Sequence, residues 1–258
     1  MNPMSLRVVP KQAIAVSDLT IRYGSRIVAS ICEMTVPMQG VMTILGPSGC
    51  GKSSLIKVLS GLADDGMTYD GIILDGIQPR SAIPGSLPYA MMWQVPVVFP
   101  CSITENLSIP LRKRKVPKAE RRDAIESALS QVGLLDEFGP KWDKLCADDI
   151  SGGQKQRLCL ARGILQNAAV IFLDEPCSAL DPSNVDKVET VITQLARNVS
   201  IVMVTHNVGQ ARRLSDQVAI FCVRDGRGVL CEQGEVSRCL YEPNTVEARN
   251  FLQFEVGQ

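Results

Sequence analysis

The chain has 258 residues, of which 45% are hydrophobic and 21% charged, with 27 basic side chains balanced by 27 acidic ones. That is long enough to bury a full core, and a zero formal charge supplies no field for a phosphate backbone, so bulk nucleic-acid binding is excluded as a primary role. No apolar run approaches the ~20 residues that span a bilayer, and Met1 to Lys11 holds no apolar stretch of the kind a secretory signal needs. Nine cysteines, an odd number without a CxxC pair, point to reduced thiols rather than a disulfide framework or a zinc ribbon.

In chain order, residues 1–12 read as an N-terminal extension, and one domain is expected over 13–253. Ala13 to Gly24 and Ile27 to Pro37 alternate like antiparallel strands. Val41 to Leu45 is a short apolar run of the kind buried on both faces, and Ser53 to Ser60 is a helical segment that Gly61 can terminate. Tyr69 to Gly76 reads as a further short strand and Ala90 to Trp93 as another. The strand pattern then stops, and residues 102–166 carry amphipathic stretches, Pro117 to Val132 and Ser151 to Leu165, which predict an inserted helical lobe. The basic run Arg112 to Lys115 with Lys118, Arg121 and Arg122 reads as a solvated helix face. Strands return at Ala169 to Leu173, Ile201 to Val204 and Val218 to Val223. Between the first two, Pro182 to Arg197 is a helix started by Asp181 and Pro182. This alternation predicts an α/β fold, a mostly parallel sheet with helices on its faces and an antiparallel β subdomain at the N-terminus.

The chemistry is concentrated in the loop between Leu45 and the helix beginning at Ser53. Gly46-Pro47-Ser48-Gly49-Cys50-Gly51-Lys52-Ser53 satisfies GxxxxGK[ST] in strand–loop–helix context, with Ser54 following it. Its glycines let backbone amides turn inward at a helix N-terminus, where several donors converge on phosphate oxygens. Lys52 adds a cation at the β/γ-phosphates, and the Ser53 hydroxyl is a Mg²⁺ ligand. Cys50, among those amides and beside Lys52, is expected to have a lowered pKa and to block ATP when oxidised or alkylated. Asp174 ends a buried strand where α/β sheets bind ligands and is the candidate to hold Mg²⁺ through water. Glu175, one position on, is placed to orient and polarise an attacking water.

Ile150-Ser151-Gly152-Gly153-Gln154, 23 residues before Asp174, resembles the signature of ABC transporter ATPases. Ser151 and Gln154 alone also match a capping box, but two glycines in a first helical turn cost about 1 kcal/mol each and a cap does not need them. The resemblance implies that this backbone meets the γ-phosphate held by a second copy of the chain. It also implies that Tyr23 stacks on adenine, although a strand tyrosine can simply pack in its sheet, that Gln94 senses Mg²⁺ and water, and that Asp181 belongs to the loop between the two copies. His206, the only histidine, 31 residues after Glu175, then corresponds to the switch at the γ-phosphate. The cofactors implied are ATP and Mg²⁺. The implied assembly is a head-to-tail homodimer on two membrane permease subunits at the cytoplasmic face of the inner membrane, with a periplasmic or extracellular solute-binding protein as an indirect partner.

Within that family, Cys159-Leu-Ala-Arg162, Asp174 to Pro182 and Thr205-His-Asn207 with Gln210 to Asp216 look like the ATPase subunit of phosphate importers. After Gln94 that subfamily tends to read K-P-N-P-F-P; here Pro96, Phe99 and Pro100 agree, while Val95, Val97 and Val98 depart. The segment from Gly61 to Gln94 is also shorter than the subfamily's. A P-loop kinase would leave Ser151 to Gln154 without a role. Non-transport ABC proteins normally carry a second nucleotide domain or a long coiled-coil insertion, and a mere nucleotide sensor has no need of both Glu175 and His206.

Overall fold

The computed structural model describes residues 12–75 and 89–256. Residues 1–11 of the expected extension, and Gly76 at the end of the expected Tyr69 to Gly76 strand, lie outside the described residues. The first half of the chain runs β1 (Gln12–Tyr23), β2 (Arg26–Pro37), β3 (Gly40–Leu45), α1 (Lys52–Ser60), β4 (Met67–Asp75), β5 (Tyr89–Met92), α2 (Ile103–Lys113), α3 (Arg121–Gln131) and α4 (Leu134–Phe138). The second runs α5 (Gly152–Gln166), β6 (Val170–Asp174), α6 (Pro182–Ala196), β7 (Ser200–Val204), α7 (Val208–Leu214), β8 (Gln217–Arg224), β9 (Arg227–Glu235), α8 (Val236–Cys239) and α9 (Val246–Val256).

The strands form one mixed sheet in the order β4-β1-β2-β9-β8-β3-β7-β6-β5. β3, β7, β6 and β5 are mutually parallel, with Ile44 opposite Val204, Val204 opposite Asp174 and Leu173 opposite Met92. Their C-terminal ends therefore emerge along a single edge. The β1 hairpin with β2, and the β1–β4 pair, make the antiparallel end.

β6 and β7 are buried at every position. Their side chains alternate between two cores, as the pleat requires: Ile171, Leu173, Ile201 and Met203 join α2, α3, α5 and α6, while Val170, Phe172, Val202 and Val204 join α1 and the antiparallel strands. A third cluster holds α7, α8 and α9 against Leu45, Val218 and Ile220.

α2 and β9 escape a periodicity reading for identifiable reasons. α2 carries Pro110 in its interior but is started by a full capping box, Ser102 with Glu105. β9 is rich in Gly and Glu and carries a bulge. The expected helix from Pro117 is divided, with a 3₁₀ turn at Lys118–Glu120 before α3 begins. Every member of the basic run but the half-buried Arg121 is exposed, and Arg122 pairs with Glu126 and Asp143.

The expectation of free thiols throughout is corrected at one place, where Cys222 of β8 and Cys231 of β9 form a disulfide; the other seven cysteines are free. The cause is a register shift: Ile220 faces Glu232 but Phe221 faces Leu230, so Cys231 is an extra residue outside the ladder and swings to Cys222.

The lobe is tied to the sheet's helices through Glu137 of α4. Its carboxylate accepts from Arg157 of α5 at 2.7 Å, Lys187 of α6 at 2.8 Å and Gln154 at 3.2 Å. Burial opposes its ionisation, yet those three donors outweigh burial and hold the carboxyl down at about 2, from an ordinary 4.5. Arg157 is itself only 2% exposed. Removing one member of such a pair strands a buried charge, so Glu137→Gln is expected to destabilise the chain by about 3 kcal/mol in chemical denaturation near pH 7. A depressed carboxyl stabilises above its unfolded pKa; the wild-type advantage over Glu137→Gln should therefore be full near neutral pH and shrink as pH falls from about 4.5 towards about 2.

Candidate functional site

Four loops meet at the edge where the parallel strands end: Gly46 to Gly51 after β3, Gln94 after β5, Glu175 after β6 and Thr205-His206 after β7. Gly46, Gly49 and Gly51 all take positive φ, at 150°, 79° and 88°, and Gly51 caps the start of α1. Gly46 and Cys50 are buried, while Ser48 and Gly49 are exposed. Lys52 is 7% exposed, and its ammonium donates to the Gly46 carbonyl at 2.7 Å and the Pro47 carbonyl at 2.9 Å. The cation is thus held inside the loop's own cradle.

The Ser53 hydroxyl donates to Asp174 Oδ1 at 3.1 Å. Burial pushes the Asp174 carboxyl up, with Ser53 pulling the other way. A buried carboxylate with raised affinity for a proton, beside a hydroxyl oxygen, is an all-oxygen set that suits Mg²⁺, which keeps several of its own waters. The residues present fit that ion.

Glu175 has φ of +48°, unusual for a residue with a side chain. Its N–H still bonds the Val204 carbonyl at 2.9 Å, extending the β6–β7 ladder, and the left-handed backbone then turns the carboxylate towards β7's exit. There Glu175 Oε1 lies 2.8 Å from His206 Nδ1, and Thr205 Oγ1 donates to Oε2 at 3.4 Å. Gln94 is exposed and donates to the Ser178 hydroxyl at 3.3 Å. Tyr23, at the end of β1, donates to Asp64 at 2.7 Å, and Lys57 reaches the same carboxylate oxygen at 2.7 Å while its ammonium lies 5.5 Å above the Trp93 ring. Asp64 was not visible as a site residue, because nothing in its local sequence marks it.

Ser151 to Gln154 lie apart from this group, and among the described residues no hydrogen bond or ion pair joins them to the loops at the strand edge. Ser151 caps α5 in a complete box with Gln154. The two glycines separate into different roles. A Cβ on Gly152 would meet nothing within 4 Å, whereas on Gly153 it would lie 2.7 Å from Cγ of Asn184. Gly153 therefore makes room for Asn184 within the chain, whereas Gly152 faces open space. Asn184 is held there by Asp181, whose carboxylate caps α6, accepts from Ser183 and Asn184 and is kept down at about 2 by those donors. Glu189, buried on α6, similarly grips Arg213 and Gln210 of α7, the helix that follows His206. These long-range contacts left no local sequence signal.

Gln94 opens an exposed apolar segment, with Val95 75%, Val97 48% and Phe99 45% accessible. That segment is fastened from behind: the buried Asn106 amide bonds both polar backbone atoms of Phe99, and Arg162 of α5 donates to the Val97 carbonyl at 2.8 Å. The Cys50 expectation is reversed: its thiol is 1% exposed, and burial pushes its pKa up more than Lys52, 3.8 Å away, pulls it down.

The family model described as ABC transporter matches residues 30–178. The chain belongs to the ABC transporter family, as an ATP-hydrolysing subunit. Among its relatives are phosphate import ATP-binding protein PstB 1 of Nitrosococcus oceani, 36% identical over 92% of this chain and 88% of the relative, and PstB 2 of Mycobacterium tuberculosis, 35% identical over 93% and 88%. PstB 2 of Bacillus subtilis is 34% identical over 99% and 97%. The fold is shared with cbiO1 from Clostridium perfringens, part of the cbiONQ ABC transporter complex, at TM-score 0.77 and 22% identity over 96% of this chain and 98% of that one. It is shared also with a bacterial Atm1-family ABC exporter, at TM-score 0.76 and 21% identity over 97% and 43%.

Gly153→Ala should lower the melting temperature of the isolated chain by several degrees, because Asn184 must move. Gly152→Ala should leave that temperature unchanged and instead depress ATP turnover, which separates a contact within the chain from one beyond it. At neutral pH, a maleimide followed by mass spectrometry should modify exposed Cys32 well before Cys50.

Proposed function

We propose that the chain hydrolyses ATP to drive import of inorganic phosphate through separate permease subunits. The observation that carries this is the kinship, at 34–36% identity over nearly the whole chain, with phosphate import ATP-binding proteins. In this reading, residues 13–253 act as one nucleotide-binding domain with 102–166 as its helical lobe.

The residues divide the work as follows. Amides of Gly46 to Ser53, with Ser54 beside them, and the Lys52 ammonium hold the β- and γ-phosphates, Lys52 leaving the Gly46 and Pro47 carbonyls to do so. Ser53 and Asp174, with Gln94, would hold Mg²⁺, which would supply neutralisation of the negative charge on the phosphates. Tyr23 packs on the adenine. Glu175 orients the attacking water and accepts its proton, and His206, bonded to Glu175, fixes that carboxylate's direction and reaches towards the γ-phosphate. The start of α5 is exposed at Ser151 and open at Gly152, and in this reading a second copy placed head to tail closes it, with Asp181 at the shared boundary.

Two supports favour a membrane partner at the Gln94 segment. Val95, Val97 and Phe99 expose apolar surface on a backbone that Asn106 and Arg162 hold rigid, as a docking surface requires. Among the described residues no helix is long and apolar enough to cross a membrane, so passage of the solute falls to other subunits. Movement of Gln94 with nucleotide then reaches those subunits directly.

In cells lacking their own phosphate-import ATPase, wild type should restore saturable uptake of radiolabelled phosphate and Glu175→Gln should not. The purified Glu175→Gln protein should still bind ATP but turn over at least about 100-fold more slowly. Turnover near wild type would remove Glu175 from its role, and failure of wild type to restore uptake would remove phosphate as the solute.

A further inference from the structure

The phosphate loop rests on strands that lie far from it in sequence. Gly46 is packed so closely on β8 that a Cβ there would lie 2.7 Å from the Phe221 carbonyl oxygen, and one on Gly51 would lie 3.0 Å from Ala29 Cβ and the Val28 carbonyl of β2. The tightest contact is on β9: a Cβ on Gly228 would lie 1.7 Å from the Cys50 carbonyl oxygen and 2.8 Å from its carbonyl carbon. Gly46 and Gly51 also need glycine for their positive φ, but Gly228 does not, so space is the reason it is glycine. Gly228 sits at the centre of a three-strand junction, opposite Ala29 of β2 in parallel and Val223 of β8 in antiparallel register. The bulge at Cys231, tied by the disulfide to Cys222, lies three residues further along the same strand.

We propose that Gly228 is a positioning residue for ATP. Every peptide described is trans, so the carbonyl of Cys50 and the N–H of Gly51 point in opposite directions from one plane. Seating the Cys50 carbonyl on the bare Gly228 backbone therefore aims the Gly51 N–H away from β9 and into the cradle where phosphate oxygens bind. Any side chain at 228 displaces that carbonyl by more than an ångström and turns the Gly51 donor off its target. The inference rests on the reading of Gly46 to Ser53 as the phosphate site of ATP.

The test compares Gly228→Ala with Gly234→Ala, on the same strand but away from the loop, where a Cβ would meet Arg238 and Cys239 instead. Gly228→Ala should raise the KM for ATP at least about tenfold with kcat at saturation within about threefold of wild type. Gly234→Ala should lower the melting temperature without moving KM. A folded Gly228→Ala protein with the wild-type KM overturns the inference, as does an equal rise in KM for Gly234→Ala. If wild type itself fails to bind MgATP, the phosphate-site reading falls instead. Should Gly228→Ala not fold, hydrogen exchange on wild type decides: MgATP should slow exchange in residues 227–230 together with 46–53, and protection confined to 46–53 overturns the proposal.

Discussion

The structure depends on a loop whose backbone is pressed so closely onto neighbouring strands that its contact points leave no room for side chains. Between β3 and α1 the chain must turn its amides inward, and it does so pressed against β2, β8 and β9 at distances that exclude a Cβ at Gly46 and Gly228 and leave little space for one at Gly51. Inward-facing donors need outward-facing carbonyls, and those carbonyls need somewhere to go. The Gly46 and Pro47 carbonyls turn to the Lys52 ammonium within the loop, and that of Cys50, facing outward, is received by the bare backbone of β9. The same crowding buries Cys50 and raises its pKa, which is why a position beside a lysine is not a reactive one.

From that loop, two chains of contact run outward through the sheet edge. One passes from Glu175 to His206, then along α7 to Glu189 of α6, and through Asp181 and Asn184 of the same helix to Gly153 on α5. The other passes from Gln94 through the segment that Asn106 and Arg162 hold, again to α5. Both end on the helix whose N-terminus presents Ser151 and Gly152 to the outside. Discrete hydrogen bonds and packed side chains thereby join the loops at the strand edge to α5.

Where pattern and motif are local, the sequence was readable. The buried strands that became β3, β6, β7 and β8 announce themselves as apolar runs, and Asp181-Pro182 marks the start of α6. Gly46 to Ser53 is legible for the same reason, since the loop and its helix share one short segment. α2 was not legible because Pro110 breaks its pattern, although the Ser102–Glu105 box overrides it. Glu137, Glu189 and Asp64 were invisible because an isolated acid carries no mark of the cations that will surround it.

The amino-acid order by itself determined the class of fold, the phosphate loop and the set of loops that follow the parallel strands, because each is written in contiguous residues whose backbone preferences act over one or two turns. Only the tertiary structure decided which glycine makes room for what. Gly153 is claimed by Asn184 within the chain, Gly152 is open, and Gly228 lies beneath Cys50. It alone also joined Cys222 to Cys231, through a bulge that no cysteine count contains. The physical reason is common to these cases: steric exclusion and ion pairing act between residues distant in the chain, and their outcome depends on the sheet order that brings those residues together.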